Sequence, residues 1–596
     1  MKRGRHLTTW LVGLLALSAL LIVACGGAAE PEPAAPAEPA SQAVGQPTAT
    51  PIPDATATPA PTATPLPEDV ATAQDSIVLV VPEEPVNLNS FLSIGGSLYA
   101  SITRANLQDP LTWQSGDDLR IVPTTATTGW EKVDADTWRF NLREGVKFHN
   151  GEAFNADAAL PSLTANGSAA SEGGSINYTG PHTSVKVDDY TVDINCQDAC
   201  PIFPNTAFFL GFEAPAWLAS TAEEDRAGQS IGLGPYQHVD WTPGVSITQE
   251  AYEDYVPVGD HFEFQKPLIK NIEWQWRGEP TVIAAMVETQ EADMGWDVGV
   301  EQIEAFPADQ LRFGSSAETY TLQIDTAWHP ELSKKEVRQA IAHAVNCQEL
   351  VDTLYAGLTT CRGNIIWPGI IGATEANTAP YEYNPELSKQ LLQDANYNPE
   401  NKITLISRGV RVAKQTEISE AVHAYLNEVG INFEFQIVEP SIRSARSRCA
   451  VGQAVLDIIE ESGRNPETAE ASRDDMIAAV DKGHSSCEGF HMIGNQPSNE
   501  TLDFGRQVRY YMNCTSQRSA VCDPSPGGIQ DQIDEALASS GQERQDRLEV
   551  LADRFREEVF MLPLFDLPVV YAVNPKLQWQ PRLDPTIRVS SMWFEE

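Results

Sequence analysis

The chain has 596 residues, of which 42% are hydrophobic and 8% aromatic, and a formal net charge of −43 at pH 7. A chain of this length exceeds a single hydrophobic core, so we expect two or three lobes. The strong negative charge excludes nucleic acid and an anionic membrane surface as electrostatic partners, because like charges repel.

The first 25 residues, MKRGRHLTTWLVGLLALSALLIVAC, predict an export signal. Their apolar run is shorter than the roughly 20 residues that a membrane-spanning helix needs. The run ends in Ile-Val-Ala-Cys25, which resembles the lipobox of bacterial lipoproteins. That resemblance implies that Cys25 is acylated and anchors the protein to the lipid bilayer, on the extracytoplasmic face of the cell membrane, in the periplasm or at the cell surface.

Residues 26–74 are rich in Pro, Ala and Thr. Such a segment cannot bury enough apolar surface to fold, so we predict a disordered tether. Its prolines favour an extended conformation of about 3.1 Å per residue. The tether would hold the folded part away from the bilayer.

Nine cysteines occur in the chain, and eight remain once Cys25 is set aside as the acylated residue. An even number in an exported protein indicates disulfides. No Cys-x-x-Cys or neighbouring His supports the alternative, a metal cluster, and we expect no metal and no cofactor. The spacing favours four local pairs: Cys196–Cys200, Cys347–Cys361, Cys449–Cys487 and Cys514–Cys522.

The folded part begins with an apolar strand in DSIVLVV, and TWRFNLREGVKF alternates as a second strand. Asn150-Gly151 predicts a tight turn, and Asn155 is placed to cap the next helix. His149 lies between these features. It is either an acid/base or metal residue or part of a structural corner.

Further along, apolar residues at helical spacing predict one helix that ends at Gly357. NPELSKQLLQDANY predicts a short capped helix. TEISEAVHAYLNEVGINFEFQIV predicts a helix, a stop at Gly430 and a strand. Because helices and strands alternate, the fold class is α/β.

The segment GWEKVDADTWRFNLREGVKFHNGEAFNADAA resembles the signature of the family 5 extracellular solute-binding proteins, the oligopeptide-, dipeptide- and nickel-binding class that serves ABC importers. IGLGPYQHV, MVETQEADMGWDV, VRQAIAHAV, YNPELSKQLL and EEVFMLPLFDLPVVYAV resemble later segments in the family's order, with Leu233 in place of the usual Thr. The resemblance spans residues 76 to 580. The matching signature positions are Phe140, Leu142, Arg143, Gly145, Val146, Phe148, His149, Gly151, Ala156 and Asp157.

The resemblance implies a two-lobed periplasmic-binding-protein-like fold of the large type II class, with an extra inserted domain and a hinge between the lobes. In that family the His-x-Gly turn is a fold corner remote from the ligand, so we interpret His149 as structural. The expected segments are 75–112, 232–322 and 551–596 for lobe I, 113–231 for the inserted domain of lobe I and 323–550 for lobe II.

The resemblance also implies a receptor, not an enzyme, that captures a peptide-like or other polar small solute and delivers it to an ABC permease. We expect a monomer. One alternative is a ligand-sensing or adhesion lipoprotein that reuses the fold. Another is an exported hydrolase, which would need two carboxylates about 5 to 10 Å apart, and no stretch indicates such a pair.

Peptide binders of the family hold the peptide amino terminus with an Asp in a Trp-containing stretch of lobe II. The corresponding segment, CEGFHMIGNQPSNETLDFG, has no Trp and offers Asn495, Gln496 and Asn499. We therefore do not assign the family's Asp to Asp503. Amides suit hydroxyl or amide groups of a ligand better than an ammonium ion, which favours a sugar, a modified peptide or another polar solute.

Two tryptophans and two arginines complete the predicted ligand site. Trp296 and Trp367 are candidate aromatic walls on opposite lobes, with a role in the core as the alternative. Arg408 and Arg411 follow the strand ITLIS, and the carboxyl end of a strand commonly opens on a ligand cleft. Solvated surface arginines are the alternative for this pair.

Overall fold

The computed structural model describes residues 72–88, 100–116, 119–168, 175–258, 265–409, 412–466 and 469–596. Cys25, the signal segment, the tether as far as residue 71 and Arg411 lie outside these residues. None of the described helices is long and apolar enough to cross a membrane.

The described strands form one large sheet and three small ones. They are β1 Ser76–Val81, β2 Thr112–Gln114, β3 Ile121–Pro123, β4 Thr127–Lys132, β5 Thr137–Leu142, β6 His182–Asp188, β7 Thr191–Cys196, β8 Tyr236–Thr242, β9 Ser246–Ala251, β10 Asn271–Trp276, β11 Met294–Trp296, β12 Leu311–Ile324, β13 Ile403–Arg408, β14 Phe433–Val438, β15 Met492–Asn495, β16 Met561–Val573, β17 Leu577–Gln578 and β18 Trp593–Phe594.

Most described α-helices lie in the second half of the chain. They are Ala156–Gly167, Ile176–Thr179, Phe203–Thr206, Pro215–Ser220, Pro280–Glu288, Lys335–Ala344, Cys347–Leu354, Glu375–Thr378, Pro385–Asp394, Gln415–Glu428, Pro440–Arg446, Val451–Glu461, Arg473–Lys482, Phe504–Tyr511, Ile529–Ala538 and Gly541–Glu558. A buried π-helix, Ala100–Gln108, precedes them.

The large sheet has ten strands in the order β14-β13-β15-β12-β16-β11-β1-β10-β9-β8. Strands β11, β1, β10, β9 and β8 belong to lobe I, and β15, β13 and β14 belong to lobe II. The long antiparallel strands β12 and β16 lie between these groups and continue from one lobe into the other. Two chain crossings therefore join the lobes within a single sheet.

The pairing of β12 with β16 is interrupted where the strands pass between the lobes. Ser315 pairs with Pro568 and Thr319 pairs with Asp566, so three residues of β12 bulge against one of β16. Ala317 in this bulge has φ +59°. A bulge bends a strand and increases its twist, so the strand bends where it passes between the lobes.

Each lobe has its own apolar core. In lobe I, β1 is buried against Trp274 and Tyr571, as expected for a strand with parallel neighbours on both sides. In lobe II, the buried side chains of β12, β13 and the helices between them form a second core. A third core lies under the four-stranded sheet β4-β5-β7-β6 and contains Phe140, Phe148 and Phe154.

Several local predictions are confirmed. The Asn155 side chain accepts a hydrogen bond from the Ala158 amide at 3.0 Å and caps the helix Ala156–Gly167. Gly430 has φ +93° between the helix Gln415–Glu428 and β14. The single helix predicted to end at Gly357 is instead two helices, because Asn346 caps a new helix by accepting from the Glu349 amide at 3.2 Å.

His149 forms a structural corner, as the sequence indicated. Its Nε2 lies 3.0 Å from the carbonyl oxygen of Gly234, and its Nδ1 accepts from the Gly232 amide at 3.2 Å. Burial lowers the pKa of His149 to about 4, so the ring is neutral at pH 7. Both ring nitrogens are thus occupied by backbone groups.

All four predicted disulfides are present: Cys196–Cys200, Cys347–Cys361, Cys449–Cys487 and Cys514–Cys522. Each joins residues that are close in sequence. They secure local loops and do not link one lobe to the other.

Candidate functional site

A cavity of about 40 Å³ lies between the lobes. A water molecule needs roughly 10 to 15 Å³ of such space, so the cavity holds on the order of three waters. A larger solute enters only if the lobes separate. The lining residues are Ala100, Arg104, Trp113, Gln114, Leu119, Phe208, Ala317, Trp367, Asn499, Glu500, Leu502, Leu583, Asp584, Pro585 and Thr586.

Trp113 and Phe208 form the aromatic part of the lobe I wall. Trp113 lies on β2, paired in register with Val122 on β3, and its side chain is 2% exposed. Its ring meets that of Phe208 edge to face, with ring centres 6.2 Å apart. The indole Nε1 is buried and has no hydrogen-bond partner in the part of the chain that the structure describes. An unpaired buried N–H costs free energy, so this donor would gain from a hydrogen-bond acceptor.

Trp367 forms the opposite wall, on lobe II. Its indole Nε1 donates to Asp566 Oδ1 at 2.9 Å. The same carboxylate accepts from Thr319 Oγ1 at 3.0 Å and from Arg362 Nε at 2.8 Å. Because Thr319 and Asp566 belong to β12 and β16, Trp367 is attached to the strands that join the lobes.

Burial raises the pKa of Asp566, while the charge and hydrogen bonds of Arg362 oppose this rise. The carboxylate depends on that guanidinium for its charge compensation. The Trp367 wall therefore rests on a buried ion pair.

Asn499 lines the cavity next to the β12 bulge. Its backbone N–H donates to the Ala317 carbonyl oxygen at 2.9 Å, and its Nδ2 lies 3.4 Å from the same oxygen. Asn499 thus holds the bulge and also borders the cleft.

The other predicted ligand residues have different surroundings. Trp296 is not among the cavity-lining residues; it packs in the lobe I core against Tyr571, with ring centres 5.9 Å apart. Asn495 Oδ1 accepts from Arg443 at 2.7 Å. Gln496 Oε1 accepts from Arg408 at 2.9 Å. These amides are therefore engaged by protein groups.

Asp503 is likewise engaged. Its two carboxylate oxygens accept from Arg544 Nε and Nη2, both at 2.7 Å, and both side chains are buried. Asp503 also caps the helix Phe504–Tyr511. It therefore has a structural function next to the cleft.

The lobes touch each other around the cavity. Asn205 Nδ2 donates to the Thr501 carbonyl oxygen at 3.1 Å, and Gln114 Nε2 donates to the Glu500 carbonyl oxygen. The Arg506 guanidinium lies 4.6 Å from the ring centre of Tyr178. These contacts between distant parts of the chain show that the cleft is closed in this structure.

Sequence reasoning missed Trp113 and Asp566. Trp113 is one of 13 tryptophans in the chain, and nothing in its neighbours distinguishes it. Asp566 sits inside the apolar run LPLFDLPVV. A charge within a buried strand was an available signal that this position has a specific partner.

The sequence matches the family of bacterial extracellular solute-binding proteins, family 5 (middle), over residues 120–459. This is more than half of the chain. The protein therefore belongs to the family 5 solute-binding proteins of ABC importers, whose function is solute binding for transport and not catalysis.

Two relatives and one solved structure illustrate the relationship. The nickel-binding periplasmic protein of Escherichia coli (strain K12) is 25% identical over 413 residues, 63% of this chain and 74% of that protein. The glutathione-binding protein GsiB of Shigella flexneri serotype 5b (strain 8401) is 26% identical over 321 residues, 52% of this chain and 60% of that protein. The substrate-binding protein CtaP from Listeria monocytogenes has a TM-score of 0.70 at 16% identity, covering 88% of this chain and 100% of that chain.

Proposed function

We propose that this protein is a membrane-anchored receptor that captures a peptide-like or other polar small solute between its lobes and delivers it to an ABC permease. Membership of the solute-binding family supports capture. The closed interlobe cavity with opposed tryptophans supports the location of the site. The lipobox resemblance at Cys25 supports the anchor.

The single observation that carries the location is the buried indole N–H of Trp113, which has no hydrogen-bond partner among the described residues. Pockets for small molecules commonly combine aromatic walls with a few placed polar groups. Trp113 and Trp367 supply the walls, and the free N–H supplies a donor for a solute oxygen. The first-lobe partner of Trp367 in the proposed site is thus Trp113, whereas Trp296 lies in the lobe I core.

The proposed cycle follows from how the lobes are joined. Opening at the β12 bulge admits the solute, and closure buries it between the two walls. The solute favours the closed form in proportion to its tighter binding there. The permease then distinguishes the loaded receptor from the empty one by its shape.

Native purification tests the capture step. Small molecules released by denaturing the purified protein are identified by mass spectrometry, and the identified compound is titrated against wild type, Trp113→Phe and the control Trp217→Phe. Trp217 lies on the helix Pro215–Ser220, away from the cavity-lining residues. We expect Trp113→Phe to bind about tenfold more weakly, for a lost hydrogen bond of about 1.4 kcal/mol. If Trp113→Phe and Trp217→Phe bind the compound with the same affinity, the proposed location of the site in the cleft is wrong.

Cell fractionation and uptake test the anchor and delivery. Cys25→Ala is expected to leave the protein unprocessed or soluble, without an acyl mass. Uptake of the identified compound is expected to require both this protein and an ABC permease. Binding without any dependence of uptake on the protein would favour the sensing alternative.

A further inference from the structure

A cavity of about 450 Å³ lies within lobe II, and we call it the lobe II pocket. Its walls come from residues within 325–330, 404–406, 446–450 and 483–491, together with Gln436. Among the described residues, none borders both this pocket and the interlobe cavity. Pockets that bind small molecules commonly have volumes of about 300 to 1,000 Å³, so the lobe II pocket has room for such a ligand.

The lobe II pocket and the interlobe cavity lie near opposite ends of β15. His491, immediately before β15, borders the lobe II pocket, whereas Asn499, shortly after β15, borders the interlobe cavity. Two residues that line the lobe II pocket, His484 and Glu488, are exposed to solvent. A ligand can therefore enter this pocket without any separation of the lobes.

The lobe II pocket is built on the large sheet and secured by a disulfide. Thr404 and Ile406 lie two residues apart on β13, and Gln436 lies beside Ile406 on β14. Residues two apart on a strand point to the same side of the sheet. The disulfide Cys449–Cys487 joins two of the surrounding segments. The pocket is thus formed before a ligand arrives.

Asp325 places a buried carboxylate in the wall of this pocket. It directly follows β12 and is only 7% exposed. Its Oδ1 accepts hydrogen bonds from the backbone amides of Ala327 at 3.1 Å and Trp328 at 3.2 Å. Burial raises the pKa of Asp325 to about 6, and backbone amides oppose this rise. The carboxylate is therefore largely ionised at pH 7.

No cationic side chain in the described part of the chain forms an ion pair with Asp325. The cations near the pocket have other partners: Arg446 pairs with Glu488, and Lys402 pairs with Glu434 at 2.8 Å. A buried charge without a counter charge costs free energy. The pocket therefore holds an uncompensated negative charge.

Two histidines also line the pocket, with ring centres 4.6 Å apart. The Nδ1 of His329 accepts from the Leu332 amide at 3.2 Å, and the Nδ1 of His491 accepts from the Thr404 amide at 3.2 Å. Burial lowers the pKa of both rings, to about 4 for His329, so neither ring supplies the counter charge at pH 7. Among the described residues, no group of three or more His, Cys, Asp and Glu side chains could hold a metal ion.

We propose that the lobe II pocket is a second binding site, for a small organic amine whose ammonium group pairs with Asp325. An ammonium ion supplies the counter charge and three N–H donors. Trp328 and Phe490 also line the pocket, and the faces of aromatic rings attract cations. The net charge of −43 further concentrates cations around the protein. This site goes beyond the proposed function and does not depend on capture in the cleft.

Isothermal titration of the dialysed protein at pH 7 tests the site, with phenethylamine and phenethyl alcohol as probes. The two molecules have nearly the same shape, but only the amine is charged at this pH. Asp325→Asn removes the carboxylate charge and keeps an acceptor for the backbone amides. The control Asp394→Asn removes the same charge from an exposed residue at the end of the helix Pro385–Asp394.

A second variant, Gln436→Trp, tests the location without changing any charge. Gln436 is an exposed residue of β14 that lines the pocket, so a larger side chain there reduces the space for a ligand. Melting temperatures show whether each variant is folded. If one of the two pocket variants does not fold, the other decides.

We expect phenethylamine to bind wild type at least about tenfold more tightly than phenethyl alcohol, because only the amine forms a charged hydrogen bond with the carboxylate. Asp325→Asn and Gln436→Trp should each weaken amine binding about tenfold or more, by the same reasoning for the first and by loss of space for the second. Asp394→Asn should bind the amine as wild type does.

The inference is overturned if wild type does not bind the amine, or binds the alcohol equally well. It is also overturned if a folded pocket variant keeps full affinity, or if Asp394→Asn loses as much affinity as Asp325→Asn. None of these results concerns the solute of the cleft, so each would leave the proposed function standing.

Discussion

Two tryptophans with almost equal exposure, Trp296 at 7% and Trp367 at 9%, lie in different parts of the molecule. Trp296 ends β11 and is packed into the lobe I core. Trp367 borders the interlobe cavity and donates to Asp566 at the strands that join the lobes. Exposure alone therefore does not distinguish a core tryptophan from a cleft tryptophan.

The difference lies in what each ring can do when the lobes move. The surroundings of Trp296 include Tyr571 and Trp579, which belong to the same lobe core. Trp367 faces residues of lobe I across a cavity, so its surroundings change when the cleft opens. We expect Trp296 to contribute mainly to stability and Trp367 mainly to binding.

Trp296→Ala should give the largest effect, a loss of about 3 to 5 kcal/mol in the free energy of unfolding, because it leaves a cavity in the lobe I core. The affinity of the folded fraction for the co-purified solute should not change. Urea unfolding and isothermal titration measure the two quantities. If the variant keeps its stability but loses affinity for the solute, Trp296 belongs to the binding site. Trp296 and Trp367 would then have the same role.

Arg362→Met should destabilise the protein by about 3 kcal/mol at neutral pH, because it leaves a buried carboxylate without its counter charge. Burial already raises the pKa of Asp566 above its ordinary value, and Arg362 opposes that rise. The folded state therefore holds the proton to a higher pH than the unfolded state, and stability falls as pH rises through that window. Without the charge of Arg362, the pKa of Asp566 rises further in the variant, so this pH window extends to higher pH.

The loss of unfolding free energy in Arg362→Met relative to wild type should consequently be smallest near pH 4 and grow toward pH 7. Urea unfolding at several pH values measures it, with the surface variant Arg547→Met as the control. A deficit that stays constant with pH would show that Asp566 is not the group responsible. The Trp367 wall would then not depend on this carboxylate.

Trp367→Ala should weaken solute binding by about 1 to 3 kcal/mol, the range for a buried aromatic contact in a binding site. Some stability should also be lost, because Trp367 packs against the lobe II residues around Phe504. Isothermal titration of the folded protein separates the two effects. Unchanged affinity would assign Trp367 to the core together with Trp296.

Trp367→Phe should give the smallest effect, about 1 kcal/mol of stability for the lost hydrogen bond to Asp566. The ring remains, so most of the affinity should remain as well. Melting temperature and affinity are measured beside those of Trp367→Ala. A loss of affinity as large as that of the alanine variant would mean that the indole N–H, and not the ring surface, holds the wall in place.

Local chemistry was predictable because its causes are close in sequence. Asn155 is recognised as a cap because its side chain reaches an amide three residues ahead. The four disulfides were predicted as neighbouring pairs, and each joins neighbours. The break at Asn346 was missed because the apolar spacing continues on both sides of it, while a single cap decides where the second helix begins.

The sequence by itself determined the family, the α/β alternation and the structural nature of the His149 corner. Motifs and periodicity depend on residues that are near one another in the sequence. Tertiary structure alone decided which tryptophan borders the same cavity as Trp367, because Trp113 and Trp367 are separated by a long stretch of sequence and come together only in the folded protein. It also shows that Asn495 and Gln496 accept hydrogen bonds from Arg443 and Arg408, while their contact with a solute stays a prediction. A side chain's type limits the bonds it can form, but its neighbours in space determine which bonds remain for a solute.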